Sequence, residues 1–115
     1  MFVEISKAEL IDKITILEIK EERIKDTEKL KNIRNELDIL RKLEFETDLK
    51  ESLKNVNNTL WNLEDRIRAL ENEGEFGGEF IDIARNIYKY NDERAKIKRE
   101  INLKHYSNII EEKSY

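Results

Sequence analysis

The sequence predicts an all-α fold built from two antiparallel helical hairpins, packed as a bundle or an antiparallel coiled coil. Two observations predict it. Charged residues make up 42% of the chain and hydrophobic residues 38%, with no proline and only three glycines, a composition typical of coiled coils and long helices. Apolar residues also recur at spacings of three and four. With 115 residues, the chain is expected to form a single helical domain spanning residues 1–115.

The first helix is predicted over residues 6–24. Ser6 and Glu9 have the spacing of a capping box, in which the hydroxyl accepts from the Glu9 amide and the carboxylate reaches back to the Ser6 amide. Leu10, Ile14 and Leu17 then form one apolar face. These signals mark the start of the helix clearly.

The second helix is predicted over residues 27–45. Asp26 and Thr27 provide a capping signal, and an apolar face follows with Leu30, Ile33, Leu37 and Leu40. Neither glycine nor proline separates this helix from the first. A tight turn is therefore favoured, while one bent continuous helix stays open as an alternative.

The third and fourth helices are predicted over residues 48–73 and 78–104. Gly74 and Gly77-Gly78 mark the turn between them, and residues 105–115 form a tail that is either mobile or docked on the bundle. Both helices carry coiled-coil seams. The third has Leu49, Leu53, Val56, Leu60, Leu63, Ile67 and Leu70, and the fourth has Phe80, Ile83, Ile87, Tyr90, Arg94, Ile97 and Ile101.

The short linker predicts that these two helices form an antiparallel hairpin. Pairing Leu70 with Phe80 then sets Leu60 against Tyr90 and Val56 against Arg94, and it places Asp65 opposite Arg85 as a polar pair. The first two helices are shorter than this hairpin, so one of its ends should remain uncovered. We expect a homodimer to form through that end.

The most informative position is Arg94, a cation where the seam calls for an apolar residue. One interpretation is a register-fixing or snorkelling arginine, paired with a carboxylate such as Glu18 or Glu21. The other is a guanidinium held in a pocket for an anionic ligand. Polar residues recur at helical spacing on the third and fourth helices and extend this candidate binding site. A line of polar residues on a helix is usually its solvated face, however. The candidates are Asn57, Trp61, Glu64, Arg68, Arg85, Tyr88, Asn91, Arg94 and Lys98.

Charge and composition exclude several function classes. A net charge of −4 argues against a general nucleic-acid binder, and the absence of cysteine excludes thiolate chemistry. No apolar run is long enough for a membrane span, and no signal peptide is recognisable, so a cytoplasmic location is expected. His105 is the only histidine and no metal or cofactor motif is present. We therefore expect no metal and no cofactor, and a non-catalytic role is favoured.

Four segments resemble a family of short, uncharacterised helical proteins of bacteria and their phages. They are LIDKITILEIK (10–20), LWNLEDRIR (60–68), the run from Tyr88 to Asn102, and the terminal EEKSY (111–115). The resemblance implies a domain of unknown function, whose genes tend to lie near glycosyltransferase and surface-polysaccharide genes. It also draws attention to residues 111–115, which either fray or dock on a basic group such as Arg68 or Lys98.

Two functional hypotheses follow. The first is a non-catalytic helical module for protein interaction or assembly, linked to surface-glycan biosynthesis by the resemblance. The second is a helical bundle that binds or transforms an anionic metabolite or sugar phosphate in a pocket of Arg94, Lys98, Arg68 and Glu64.

Overall fold

The computed structural model describes residues 4–105, which form four α-helices and no strand. The helices are α1 (Lys7–Arg23), α2 (Thr27–Arg41), α3 (Lys50–Glu73) and α4 (Gly78–Lys104). They confirm the all-α class. In this part of the chain no helix combines the length and the apolar character needed to cross a membrane.

α1 and α2 are separate helices. The Ser6 hydroxyl accepts from the Glu9 amide at 3.1 Å and begins α1, as predicted. The chain becomes extended at Ile24, with φ −85° and ψ 132°. Asp26 Oδ1 then accepts from the Lys29 amide at 3.0 Å and begins α2. The alternative of one continuous bent helix is therefore wrong.

The segment between α2 and α3 is longer than expected. α2 ends at Arg41 rather than at residue 45, and α3 begins at Lys50 rather than at residue 48. Phe45 lies in this segment and packs against both hydrophobic clusters of the protein. Because the chain leaves the helix at Arg41, the Phe45 ring can contact both clusters. The apolar spacing along α2 gives no sign of this contact.

α3 and α4 form the expected antiparallel hairpin. Gly74 adopts the left-handed conformation (φ 71°) that favours glycine, and the Glu75 amide donates to the Leu70 carbonyl at 2.9 Å. Leu70 and Ile83 are buried, but Tyr90 is 38% exposed and is wrong as a seam residue. The neighbouring Asn91 is partly buried instead, whereas Ile97 and Ile101 keep their predicted buried positions.

α1 lies at the centre of the molecule, whereas α2 contacts α1 alone among the described helices. Ala8 and Ile11 of α1 join a cluster with α3 and α4. Leu10, Ile14 and Leu17 join a second cluster with α2. α1 is consequently buried on two faces, and its polar residues Asp12 and Thr15 are removed from water as well.

The end of the α3–α4 hairpin extends beyond α1. Among the described residues, hydrogen bonds from α1 to α3 reach along α3 as far as Asn62. Residues 71–79 are all exposed. We call residues 71–82 the hairpin end.

Candidate functional site

The Asp12 carboxylate lies at the point where α1 meets α3 and α4. Asp12 is 3% exposed. Its Oδ1 accepts from Asn57 Nδ2 at 2.9 Å and from Arg94 Nε at 3.1 Å, and its Oδ2 accepts from the second Arg94 nitrogen, Nη2. Arg94 thus binds this carboxylate in the two-pronged geometry that suits a guanidinium.

Thr15 and Asn57 complete the inner part of this network. Thr15 Oγ1 donates to the Asp12 carbonyl at 2.7 Å and accepts from Asn57 Nδ2 at 2.9 Å. Both side chains are buried. Because a buried polar group without a partner is costly, these bonds hold Asn57 of α3 in one orientation against α1.

Lys98 and Asn102 extend the network along α4. Lys98 Nζ donates to Glu9 Oε1 and lies 3.8 Å from Asp12 Oδ2. Asn102 Oδ1 accepts from the Ala8 amide at 2.9 Å. Glu9 therefore pairs with α4 instead of closing the predicted capping box. Buried ion pairs often contribute little net stability, but they can specify one packing arrangement, and this network fixes α1 against the long hairpin.

This geometry matches the interpretation of Arg94 as a residue paired with a carboxylate, although the expected partners are wrong. Glu18 accepts from Arg41 at 3.1 Å and from Lys50 at 3.0 Å. Glu21 lies 3.4 Å from Arg34. Within residues 4–105, the carboxylate that reaches Arg94 is Asp12.

A cleft of about 220 Å³ opens beside this network, and we call it the Trp61 cleft. Apolar side chains and polar groups share its lining, and several of the predicted binding residues meet there. It is lined by Ile16, Ile19, Asn57, Leu60, Trp61, Glu64, Asn91 and Arg94. The Arg94 side chain is 30% exposed, so it contacts Asp12 and the cleft at once.

Trp61 is held at the edge of this cleft by Arg23, the last residue of α1. The guanidinium carbon lies 5.6 Å from the centre of the indole ring, within the range of a cation–π interaction. Arg23 also donates to Asn62 Oδ1 at 2.6 Å and to Asn58 Oδ1 at 3.1 Å. These contacts fix the indole relative to α1.

The other predicted residues do not line the Trp61 cleft. Lys98 belongs to the buried network, while Arg68, Arg85 and Tyr88 are exposed. The predicted Asp65–Arg85 pair is wrong, since among the described residues Asp65 is instead 3.5 Å from Arg68. The ion pair that does cross the hairpin joins Arg66 Nε to Glu79 Oε1 at 2.6 Å.

A wider cleft of about 730 Å³ lies between the α2–α3 segment and the end of α4. Its cations face carboxylates, as in the pairs Lys50–Glu44 (2.7 Å) and Lys104–Asp48 (2.6 Å). The hydrogen bond from Lys104 lowers the pKa of Asp48. Lys50 and Lys104 are therefore already paired with carboxylates of the protein.

The groups that α1 contributes to the site are not among the residues predicted from the sequence. Asp12 and Thr15 organise the network, and Ile16 and Ile19 form part of the cleft wall. A signal for them was available, because apolar residues cover more than one face of α1 and therefore predict a central helix. Polar side chains on the covered faces of such a helix must be paired.

No group of His, Cys, Asp or Glu suited to a metal ion occurs within residues 4–105. The whole chain, residues 1–115, matches the model of the family of unknown function DUF6165. The chain belongs to this family. No curated protein and no solved structure matches it.

Membership of the DUF6165 family confirms the expected resemblance to an uncharacterised family and assigns no activity. The Trp61 cleft and the hairpin end are therefore the features of this DUF6165 member from which a function can be argued. The predicted docking of the tail concerns residues that, apart from His105, lie outside the described part of the chain.

Proposed function

We propose that the protein is a non-catalytic helical module for protein interaction or assembly, and that it binds its partner through the hairpin end. The observation that carries this proposal is the extension of the α3–α4 hairpin beyond α1, with apolar side chains exposed there. The sequence resembles a bacterial and phage family whose genes tend to lie near those for surface polysaccharides. On that basis we also propose a role in the cytoplasm of bacteria or of phage-infected cells, alongside the enzymes of surface-glycan biosynthesis.

The hairpin end combines rigidity with exposed apolar surface. Phe76 is 55% exposed and Ile81 is 51% exposed. The Phe76 ring packs edge-on against Phe80, with ring centres 5.3 Å apart. Large aromatic side chains that are already held in place lose little conformational freedom on binding, which favours their use as anchors in an interface.

The charge of the hairpin end indicates the chemistry of the partner. Residues 69–84 contain five carboxylates and neither lysine nor arginine: Glu71, Glu73, Glu75, Glu79 and Asp82. Among the described residues, Glu79 is the one of these five that forms an ion pair across the hairpin, with Arg66. We infer that the partner offers an apolar pocket with a basic rim, because complementary charge favours encounter and excludes wrong partners.

The homodimer expected from the sequence stays a prediction. Two hairpin ends brought together would place like charges in proximity, and salt screens that repulsion. We therefore expect a dimer formed through these ends to become tighter as the salt concentration rises. Light scattering at micromolar concentration and at two salt concentrations measures this, and a monomer under both conditions would contradict the prediction.

The alternative function, binding of an anionic metabolite or sugar phosphate, has one observation in its favour: Arg94 lines the Trp61 cleft. Two carboxylates weigh against it. Arg94 already binds Asp12, and Glu64 also lines the cleft. An anion entering the cleft would meet both negative charges, so the interaction module is the better supported proposal.

Affinity capture with surface variants tests the interaction module. The full-length chain, the double variant Phe76→Ser/Ile81→Ser and the control Ile39→Ser serve as baits, since Ile39 is a 62% exposed isoleucine on α2. We expect the unmodified chain and the Ile39→Ser control to retain the same partner, and the double variant to lose it. We also expect a cross-link between the basic surface of that partner and residues 71–82. Identical sets of bound proteins from all three baits would rule out the hairpin end.

A further inference from the structure

We propose that the Trp61 cleft binds a small, neutral, polyhydroxylated molecule, the chemical class to which monosaccharides and inositols belong. This site lies on a different surface from the hairpin end and goes beyond the interaction function. The inference depends on the charge, the hydrogen-bonding groups and the size of the cleft.

The charges around the cleft exclude strongly charged ligands of either sign. An anion would meet Glu64 in the lining and Asp12 directly behind Arg94. A cation would meet Arg94, and Arg23 already occupies a position over the Trp61 ring. Arg94 is paired with Asp12, and Glu64 lies 3.4 Å from Arg68. Because each of these charged groups is close to one of opposite sign, a neutral ligand suffers the least repulsion.

The polar groups of the lining call for a ligand that both donates and accepts hydrogen bonds. Glu64 offers a carboxylate acceptor, and Asn91 offers an amide with donors and an acceptor. Asn57 uses its Nδ2 group for Asp12 and Thr15, which leaves Oδ1 as its remaining acceptor. A hydroxyl group donates and accepts at a single atom, so a molecule with several hydroxyl groups satisfies this mixed lining.

The remaining walls are apolar. Ile16, Ile19 and Leu60 line the cleft together with the Trp61 indole. A ring or chain whose C–H faces are apolar and whose edges carry hydroxyl groups can contact these walls while its edges reach the amides and the carboxylate. Apolar walls with a few placed polar groups are the usual composition of a small-molecule site.

The volume of the cleft restricts the ligand to a small molecule. Its 220 Å³ lies below the roughly 300 Å³ at which pockets for drug-sized ligands begin. One monosaccharide-sized unit is compatible with this volume, whereas an oligosaccharide would have to project out of the cleft. The wider cleft of about 730 Å³ is less suited to a ligand, because its lysines Lys50 and Lys104 already pair with carboxylates of the protein.

Trp61 provides the measurement, because it is the only tryptophan in the chain and it lines the cleft. D-Glucose, D-galactose and myo-inositol are titrated into the full-length protein through the millimolar range while the indole fluorescence is followed. Inorganic phosphate and choline chloride serve as the charged probes. We expect a saturable change with at least one neutral polyol and none with either charged probe.

Matched variants locate the binding. Glu64→Ala removes a cleft carboxylate, and Glu51→Ala removes an exposed carboxylate from the same helix. We expect Glu64→Ala to weaken polyol binding by about ten-fold, since a hydrogen bond to a charged group contributes on that scale. We expect Glu51→Ala to leave it unchanged. Asn91→Ala with the control Asn55→Ala, at an exposed position, repeats the comparison for an amide, and the melting temperature of each variant verifies that it is folded.

The outcomes separate clearly. No saturable response to any of the three polyols, tighter binding of phosphate or choline, or unchanged polyol binding in both Glu64→Ala and Asn91→Ala would each overturn the inference. Phe76→Ser/Ile81→Ser is expected to bind the polyol like the unmodified chain. Loss of partner capture in that variant therefore tests the interaction module without bearing on the cleft.

Discussion

The two halves of the long α3–α4 hairpin follow the same seam pattern and have opposite surroundings. Beside α1, positions next to the seam carry polar side chains such as Asn57 and Lys98, and these are buried and paired. Towards the hairpin end, a seam residue such as Leu70 stays buried, but apolar side chains outside the seam, such as Phe76 and Ile81, are exposed. The comparison teaches that a seam pattern predicts which helices pair, whereas a third helix decides whether the positions beside the seam are removed from water.

The largest expected contrast comes from truncating one aliphatic side chain in each half. Leu53 is fully buried in the cluster that joins α1 to the hairpin, so Leu53→Ala is expected to lower the free energy of unfolding by about 2–5 kcal/mol. Ile81→Ala is expected to change it by less than about 0.5 kcal/mol, because Ile81 is half exposed. Urea denaturation measures both. Equal losses would show that the hairpin end is covered in solution.

A second contrast concerns the polar network. Asp12→Ala leaves the Arg94 guanidinium without its carboxylate in a partly buried position, and we expect a loss of about 3 kcal/mol in the free energy of unfolding. This is the lower end of the range for breaking a buried pair, because the Arg94 side chain is 30% exposed. Asp38→Ala, at an exposed position on α2, is the matched control.

The double variant Asp12→Leu/Arg94→Leu sharpens this contrast further. Replacing both members of a buried ion pair by apolar residues is often neutral or stabilising. We expect the double variant to recover most of the stability that Asp12→Ala loses. If it is as unstable as the single variant, Arg94 contributes through contacts other than the Asp12 pair.

The smallest expected effect is a pH dependence at Glu18, where α1 meets Arg41 and Lys50. Burial raises the pKa of Glu18, but the hydrogen bonds from Lys50 and Arg41 outweigh it, and the pKa is lowered from its ordinary value of 4.5. The stabilisation is therefore present above pH 4.5 and is lost as the pH falls through the lowered pKa. We expect Glu18→Gln to be less stable than the unmodified chain at neutral pH and equally stable in strong acid, as measured by thermal unfolding across pH. A constant difference would argue against the ion pairs as its cause.

Much of the fold could be predicted because local signals mark it. The Ser6 and Asp26 caps and the left-handed Gly74 are encoded in a few neighbouring residues, and the structure confirms all three. α2 ends four residues before its predicted end, because Phe45 leaves the helix to reach two clusters formed by distant residues. The exposure of Tyr90 could not be predicted from the repeat, because Ile97 and Ile101 further along the same repeat are buried.

The candidate site was predictable in part. Three of the polar residues predicted on α3 and α4 line one cleft in the structure, namely Trp61, Glu64 and Asn91. The partner of Arg94 could not be chosen, because the spacing on α4 contains no information about how α1 crosses it. Asp12 is separated from Arg94 by more than 80 residues, and their contact depends on the packing of three helices.

Among the described helices α2 contacts α1 alone, and this has a consequence for the order in which the molecule unfolds. If α2 detaches, every contact among α1, α3 and α4 can remain, whereas α1 cannot leave without disrupting both hydrophobic clusters. Proteins open in cooperative units of unequal free energy, and α2 is the natural first unit here. We expect native-state hydrogen exchange to be faster at the amide of Leu37 in α2 than at the amide of Ile11 in α1, although both side chains are fully buried. Equal burial would then not mean equal protection from exchange.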